Sequence, residues 1–514
     1  MSVRRPDKER RLLPRWQPSA VSIAQGDLRP LISRKPRMIE DEHFEARKIE
    51  WEATHSLEVA AELVASAIVL GRIDEAIPAA RLLAEAASDV PATLREMARD
   101  ALTVEPQVLA HRHHRPRELA RHSIYSEVSR IRHHLTANPR DAYAWVDIGR
   151  LYTTLGQFEK ARHAIDVARA IAPEDRFVLR AAARFFVHAG DAEIAERMLN
   201  RAHATRRDPW LMSAEIAVSQ VLGRSPRTAS LAARALKEDA WTPHSSSELS
   251  GSFATLLMEE GATHKARGFF RQSLRDPTEN AIAQAQWAAG QTRGLVIPHE
   301  LLSHPKGYEA RALHDTLVGD WDSAIENCWD WVAYEPTSSR PMQLGSYVAS
   351  VAREDSETIL EFTARGLAAE PRDPTLLNNR AVGLVYANRV TEAAEILYGL
   401  VIEKTSEEIQ PALYATTGLI FFRTGVIESG RVFYERAIAH PYSRRDGRCY
   451  ALALWHLARE EVRAQTEQVD AAIARAEKAS KDIKLAELDA FRERVLRAAG
   501  KPHKNERRVT TSRV

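Results

Sequence analysis

Three arginines form the clearest candidate binding set in this sequence. Arg150, Arg180 and Arg184 lie in one stretch of the chain, and aromatic side chains at Tyr143 and Phe177 accompany them. A guanidinium group presents a planar fork of N–H donors that suits both oxygens of a carboxylate or phosphate. If the fold brings these side chains to one face, the set predicts a site for an acidic or aromatic-rich peptide.

Motifs for the common catalytic chemistries are absent from the sequence. It contains no G-x-x-x-x-G-K-[ST] phosphate loop and no G-x-S-x-G nucleophile elbow. His299 and His304 suggest a zinc-protease pair, but they are five residues apart rather than four. On a helix, two such side chains would point about 140° apart and could not share one metal ion. We therefore expect no enzymatic activity, no metal and no cofactor.

Residues 104–140 are rich in both histidine and arginine. The histidines are His111, His113, His114, His122, His133 and His134. Zinc sites need a fixed geometry and usually Cys, Asp or Glu partners, and the surrounding arginines would repel a divalent cation. The segment is interpreted as an exposed linker, as a basic patch that contacts phosphate or responds to pH, or as a nuclease-like site, although no acidic metal cluster or nucleophile is visible nearby.

The charge distribution argues against a dedicated nucleic-acid-binding fold. The 514 residues have a net charge of only +2, yet residues 1–37 carry ten Arg/Lys and three acidic residues. Residues 500–514 carry five and one, so the body between the tails is acidic. A nucleic-acid-binding fold should carry its basic stripe on the body. The tails are expected either to be solvated or to contact phosphate, an acidic partner or the body itself.

The cellular location of the protein is predicted from features that the sequence lacks. Cys328 and Cys449 are the two cysteines, too few for a disulfide scaffold. No run of apolar residues is long enough to cross a membrane, and no apolar region follows the charged N-terminus. We expect a cytoplasmic protein without a membrane partner.

A small apolar cluster interrupts the basic N-terminal arm. Leu12, Leu13 and Trp16 lie in the stretch Arg-Leu-Leu-Pro-Arg-Trp at residues 11–16. Such a segment either folds back onto the body or docks into a partner, since ordering it must be compensated by burial.

Residues 142–175 show the periodicity that should position the arginines. Apolar and small residues recur at spacings of three and four on two helical faces, which a Leu-Gly turn separates and a proline ends. They are Trp145, Ile148, Gly149 and Tyr152, then Leu155-Gly156, then Phe158, Ala161, Ile165 and Ala168, and finally Pro173.

This pattern resembles the tetratricopeptide repeat, a helix–turn–helix of 34 residues, nearly position for position. Further copies occur at residues 57–90, 176–209, 247–280, 305–338, 340–373, 374–407 and 411–444, and a degenerate one at 210–246. Gly71 and Gly319 are at the turns of two copies, and Asn388 replaces the turn glycine in another. The resemblance implies an all-α fold, a right-handed superhelical solenoid whose first helices line a concave groove.

The remaining segments interrupt or cap the array. The predicted organisation is a basic arm (1–37), an N-terminal helical region (38–103), the His/Arg-rich linker and helix (104–140), a first half of the array (141–290), an interruption (291–304), a second half (305–444), capping helices (445–499) and a basic tail (500–514). A charged terminal helix keeps the end of a solenoid soluble.

The repeat frame places a set of candidate residues on the groove. In the first half these are Tyr143, Arg150, Thr154, Phe177, Arg180, Arg184 and His188. Chaperone adaptors of this family clamp a peptide carboxylate with Lys and Asn, and that pattern is missing here. Asn378 and Asn379 form a second candidate contact, where they either grip a ligand's main chain or bridge neighbouring helices. Trp329 is expected to be partly exposed and to mark a contact surface.

The predicted function is a non-enzymatic scaffold or adaptor that holds a protein or an acidic peptide in the concave groove. One alternative is a nucleic-acid-associated protein that uses the basic tails and residues 104–140. Another is a regulatory subunit of a separately encoded enzyme. Self-association is left open.

Overall fold

The computed structural model describes residues 12–17, 41–70, 72–86, 92–103, 116–238, 240–289, 292 and 294–501. Within these ranges every regular element is a helix. Contacts divide the chain into two compact units. We call residues 18–139 with 332–334 the small unit, and residues 1–17, 140–331 and 335–514 the main unit.

The small unit contains five described helices. They are α1 (Asp41–Thr54), α2 (Leu57–Leu70), α3 (Ile73–Glu85), α4 (Ala92–Thr103) and α5 (Pro116–Ala137). Phe44, Trp51, Val64 and Leu83 are buried together between the first four helices. Helices α2 and α3 are the predicted pair of the 57–90 copy, and its turn residue Gly71 lies outside the described residues.

The main unit is an array of helix pairs. Its helices are α6 (Ala142–Thr154), α7 (Phe158–Ile171), α8 (Arg176–His188), α9 (Ala192–Arg201), α10 (Pro209–Val221), α11 (Ala229–Lys237), α12 (Pro243–Glu259), α13 (Thr263–Ser273), α14 (Glu279–Ala289), α15 (His299–Leu302), α16 (Tyr308–Val318), α17 (Trp321–Tyr334), α18 (Arg340–Val348), α19 (Ser356–Ala369), α20 (Pro374–Tyr386), α21 (Val390–Tyr398), α22 (Gln410–Arg423), α23 (Ile427–Ala439), α24 (Pro441–Arg445), α25 (Gly447–Arg463), α26 (Val469–Ser480) and α27 (Ala486–Ala498).

Local signals begin and end these helices. Aspartate side chains accept hydrogen bonds from the first free N–H groups of α6, α8, α10 and α20, as expected at an N-cap. The turns inside the pairs have left-handed residues with φ between 71° and 83°, at Gly156, Gly190, Gly261, Gly319 and Gly425. Asn388 takes this role with φ 61°, as an asparagine can. The turns predicted at Gly156, Gly319 and Asn388 are confirmed.

Successive pairs stack through their first helices. Helix α6 packs on α8, α8 on α10, α10 on α12 and α12 on α14, and the same order recurs from α18 to α20, α22 and α25. Small residues such as Ala161 and Ala182 let the helices approach, while Ile165 and Phe186 fill the gaps between them. No pair can bury its apolar face alone, so stacking is what forms the core. The predicted all-α solenoid of helix pairs is confirmed.

The end of the array departs from the simple repeat. Helix α18 runs into a π-helical turn at Ala349–Arg353, which Glu354 ends in the left-handed region with φ 54°. Arg494 on α27 donates to the carbonyl oxygens of Val351 and Ala352 in this turn. The last helix of the main unit therefore returns to the middle of the array, where it also packs on α16.

Candidate functional site

The inner side of the main unit holds a stretch of its own chain. Residues Leu12–Gln17 adopt neither helix nor strand and contact the first helices α8, α12, α14 and α16. Glu335, which follows α17, completes the contacts. We call this surface the filled groove.

Apolar contacts bury one side of the segment. Leu12 is 1% exposed and Trp16 is 2% exposed. The indole of Trp16 meets the ring of Phe185 edge to face, with 6.0 Å between ring centroids. Leu12 fits a notch on α12, because a Cβ atom on Gly251 would lie 2.6 Å from its Cδ1 atom. Of the two predicted fates of the apolar cluster, the structure therefore shows the one in which the arm folds back.

A buried arginine anchors the segment. The guanidinium of Arg15 donates to the carboxylates of Glu309 and Glu335 through separate nitrogens. Glu309 also pairs with Arg340, and Glu335 accepts a hydrogen bond of 2.7 Å from the Trp331 indole. Helices of the array thus hold both carboxylates in place, so the arginine enters a subsite that the main unit itself builds.

Side chains also bind the main chain and the end of the segment. The Asn280 amide donates to the carbonyl oxygen of Leu13 at 3.0 Å. The Gln17 amide donates to the Glu279 carboxylate at 2.6 Å. Side chains of the inner helices therefore contact both the main chain and the side chains of the segment.

The candidate residues of the first helices have partners inside the main unit. The Tyr143 hydroxyl donates to Asp175 at 2.9 Å, and its ring lies 5.3 Å from that of Phe177. Arg180 donates to Glu248 at 2.9 Å and lies over the Trp210 ring. The structure therefore brings Tyr143 and Phe177 together and directs Arg180 towards α10 and α12.

Arg150 and Thr154 lie within α6, where Arg150 is buried and the Thr154 hydroxyl donates to the Arg150 carbonyl at 3.0 Å. Such a bond within a helix is local and requires no ligand.

His188 and Arg184 face the end of α19. His188 Nδ1 lies 3.0 Å from a carboxylate oxygen of Glu370. Burial opposes ionisation of Glu370, but the neighbouring His188 and the charge of Arg184 outweigh it, so the pKa of Glu370 lies below its ordinary value. This contact joins distant repeats, and a reading confined to one repeat could not predict it.

A second surface is open. A cavity of about 600 Å³ is lined by α16, α18, α20, α22, α25 and the start of α27. We call it the open cavity. Its apolar walls include Leu344, Val382, Leu419 and Leu452.

Asn378 and Asn379 line the open cavity and also bridge its helices. The Asn379 amide donates to the Ser346 hydroxyl on α18 at 2.9 Å. The Asn378 oxygen accepts from the Thr416 hydroxyl on α22 at 2.8 Å. The bridging role that the sequence left open is present in the structure. Their location leaves the amides at the wall of the cavity.

Charged groups on the cavity wall are paired within the protein. Arg448 pairs with Glu487 and donates to the Tyr347 hydroxyl at 2.9 Å, while Arg459 pairs with Glu460. Burial raises the pKa of Tyr347, so its hydroxyl stays protonated. Burial and the charges of Arg459 and Arg494 hold the pKa of His456 well below its ordinary value, so that imidazole is neutral. The wall therefore offers a ligand mainly neutral polar groups, namely hydroxyls, amides and the imidazole of His456, because its charged groups are paired.

The expectation for Trp329 is wrong. Its side chain is 3% exposed and stacks on the ring of Phe362, with 3.8 Å between centroids. The stacking partner belongs to the second helix of the next repeat, so a position that looks open within one repeat is covered by its neighbour.

Reasoning from the sequence missed the residues that receive the arm. Gly251, Asn280, Glu309 and Glu335 were not among the candidates, although Glu309 stands at the start of a first helix. An acidic residue at an inward-facing position is a signal that could have found Glu309.

Several earlier expectations fall on residues the structure describes only in part. His111, His113 and His114 lie outside the described residues, whereas His133 is exposed on α5. In the described ranges no group of three or more His, Cys, Asp or Glu side chains could hold a metal ion. Within the same ranges, no helix combines the length and apolar character needed to cross a membrane.

No protein-family model and no curated protein sequence matches the chain. Similar solved structures include a tetratricopeptide repeat protein from Parabacteroides merdae, with 16% identity, a TM-score of 0.27 and coverage of 54% of this chain and 98% of that one. Yeast Tom70 has 12% identity, a TM-score of 0.30 and coverage of 90% and 91%. The human IFIT1 dimer with PPP-AAAA has 14% identity, a TM-score of 0.28 and coverage of 94% and 96%. Likenesses at these scores carry no argument about partners or activity, and the assignment of the fold rests on the helix pairs themselves.

Proposed function

We propose that the protein is a non-enzymatic interaction scaffold that holds a segment of a partner protein in the open cavity. The observation that carries this proposal is the occupation of the inner side of the main unit by an extended stretch of its own chain, Leu12–Gln17. The open cavity adjoins that occupied surface at Glu309.

The open cavity suits such a segment in size and composition. Its volume of about 600 Å³ falls in the usual range for ligand sites, roughly 300–1,000 Å³. Leu419 and Leu452 offer apolar contact, and the amides of Asn378 and Asn379 can exchange hydrogen bonds with a main chain. A polypeptide supplies both kinds of group.

An acidic peptide at Arg150, Arg180 and Arg184 is not part of this proposal. Arg180 already has a carboxylate partner in Glu248, and the charge of Arg184 lowers the pKa of Glu370. A ligand carboxylate would have to displace Glu248 from Arg180, and a buried acid left without its cation is costly.

The test is affinity purification of the tagged full chain from its own cells, with and without nuclease. Ala415→Trp fills the open cavity, and Ala471→Trp, at an exposed position of α26, is the matched control. We expect a stoichiometric protein partner that survives nuclease, is lost with Ala415→Trp and is retained with Ala471→Trp. A partner set that disappears with nuclease would overturn the proposal in favour of nucleic-acid association. A partner that binds Ala415→Trp as well as it binds the wild type would contradict binding in the open cavity.

A further inference from the structure

We propose that the filled groove is a second peptide-binding site, next to the open cavity, and that Leu12–Gln17 is its resident, displaceable ligand. The site takes, from a partner protein, a peptide of the same chemistry: two apolar residues, a proline, an arginine and an aromatic residue. This inference rests on the proposed function in one respect: both assume that the inner side of the main unit binds segments of partner proteins.

The arginine subsite sets the strongest requirement on the ligand. Glu309 and Glu335 are 2% and 6% exposed and converge on one guanidinium. If Arg15 left, Glu309 would keep its ion pair with Arg340 and Glu335 its hydrogen bond from Trp331, but both would lose the guanidinium that they share. Buried carboxylates without a counter-charge are strongly disfavoured, so the empty subsite favours a guanidinium. The fork of an arginine can reach both acids, whereas a lysine ammonium is a point charge.

Apolar subsites fix the spacing around that arginine. The notch at Gly251 accepts Leu12, three residues before Arg15, and Phe185 accepts Trp16, the residue after it. Between them, Asn280 holds the carbonyl oxygen of Leu13. The groove therefore has four subsites, for Leu12, the carbonyl group of Leu13, Arg15 and Trp16. Their order along the groove determines which peptide sequences fit.

The contacts of the segment are those of a ligand more than those of a repeat helix. Its described polar partners lie between 262 and 320 residues away along the chain. It has no regular secondary structure of its own. The Trp16 indole N–H, although buried, meets no acceptor among the described residues. A peptide with the same side chains could replace the segment and restore each contact made by the groove.

The experiment uses a fluorescent peptide with the sequence of residues 9–20, titrated into the full chain. In the wild type the tethered arm competes at high effective concentration, so the peptide should bind weakly. Arg15→Glu expels the arm by repulsion from Glu309 and Glu335, and we expect the affinity for the peptide to rise about tenfold or more. Arg445→Glu, the same charge change at an exposed position, should leave the affinity at the wild-type value.

A peptide with Glu in place of its arginine should not bind the Arg15→Glu chain. In the double variant Arg15→Glu, Glu335→Gln, we expect most of the rise in affinity for the peptide to be lost. Equal, weak binding to wild type and to folded Arg15→Glu would overturn the proposal and make the arm an integral part of the fold. A wild-type dimer that Arg15→Glu dissolves would overturn it in favour of arms exchanged between two copies.

A second measurement covers the case in which Arg15→Glu fails to fold. A protease site inserted between Ala20 and Val21 lets the otherwise intact chain be cut after folding. Release of the arm fragment by excess peptide would support a displaceable ligand, and retention of the fragment until the protein unfolds would overturn it. Ala415→Trp should leave peptide binding unchanged, so failure of this inference and failure of the proposed function are distinguishable.

Discussion

The filled groove and the open cavity lie on the inner side of the same array but differ in how their charges are balanced. In the filled groove, Glu309 and Glu335 are completed by Arg15, which comes from the far N-terminal arm. In the open cavity, Arg448 and Arg459 already have partners in Glu487 and Glu460, within the C-terminal helices. We therefore expect surplus buried charge to select a ligand by its charge, and internally paired charge to leave selection to shape and hydrogen bonding.

The two surfaces adjoin at Glu309. This carboxylate lines the open cavity and also accepts from Arg15. Arg340 pairs with the same carboxylate and lines the cavity as well.

The largest effect should follow from closing the notch in the filled groove. Gly251→Val would place new atoms where Leu12 now lies, since even a Cβ would be 2.6 Å from the Leu12 Cδ1 atom. Overpacking of this kind destabilises by about 3 kcal/mol. Urea unfolding monitored by circular dichroism measures the free energy of unfolding.

Gly268→Val on α13 is the matched control, because nothing lies within 4 Å of a Cβ added there. It should change stability by less than about 0.5 kcal/mol, since helix propensity of valine and glycine is similar. If both variants behaved alike, the arm would not be seated against α12.

A smaller effect on stability should follow from the titration of Asp373, whose hydrogen-bond partner Gln343 lines the open cavity. Burial, together with the charge of Glu370, raises the pKa of Asp373 to about 6. Its hydrogen bond to Gln343 and its N-cap role on α20 act in the opposite direction but do not cancel the shift. Because the folded-state pKa is above the ordinary 3.8, the contribution of this group to stability falls as pH rises from about 4 to about 6.

Asp373→Asn keeps an N-cap side chain and removes the ionisation. We expect the variant to be more stable than the wild type at pH 7 by about 1–2 kcal/mol. The difference should vanish below pH 4, as measured by thermal unfolding at each pH. A constant difference across this range would mean that Asp373 does not titrate in the folded state as inferred.

The smallest effect concerns the two cysteines, which serve as built-in probes. Cys449 lines the open cavity, whereas Cys328 is fully buried and burial raises the pKa of its thiol. Iodoacetamide should therefore alkylate Cys449 first. In Ala415→Trp the rate at Cys449 should fall about threefold, because the indole shields the thiol.

Mass spectrometry of the alkylated peptides separates the two sites. Ala471→Trp should leave both rates unchanged. Faster labelling of Cys328 than of Cys449 would contradict the placement of Cys449 at an accessible wall.

The repeats could be predicted from the sequence because their signals are local. Turn glycines, capping aspartates and three-four spacing act within one helix pair, as in α6 and α7. The segment at 467–499 forms two helices, Val469–Ser480 and Ala486–Ala498, as α27 turns back to pack on α16. That return depends on a surface far away in the chain, and no local pattern encodes it.

The binding surfaces were harder to predict for the same reason. The apolar cluster at Leu12, Leu13 and Trp16 could be recognised in the sequence, but the surface that binds it is formed by several repeats. Arg180 appeared available in its own repeat, and the acid that occupies it, Glu248, lies on α12. Side-chain identity can be read locally, whereas the pairing of side chains depends on the superhelix.

The contact of Arg494 with the π-helical turn has a consequence for how the molecule comes apart. A simple solenoid frays from its ends, because each repeat is held only by its neighbours. Here the last helix is fastened to carbonyl oxygens in the middle of the array, at Val351 and Ala352. Loss of the terminal helix must break that distant fastening as well as its local packing. The second half of the array should therefore unfold as one cooperative block, with amide hydrogens in α27 exchanging as slowly as those in α20.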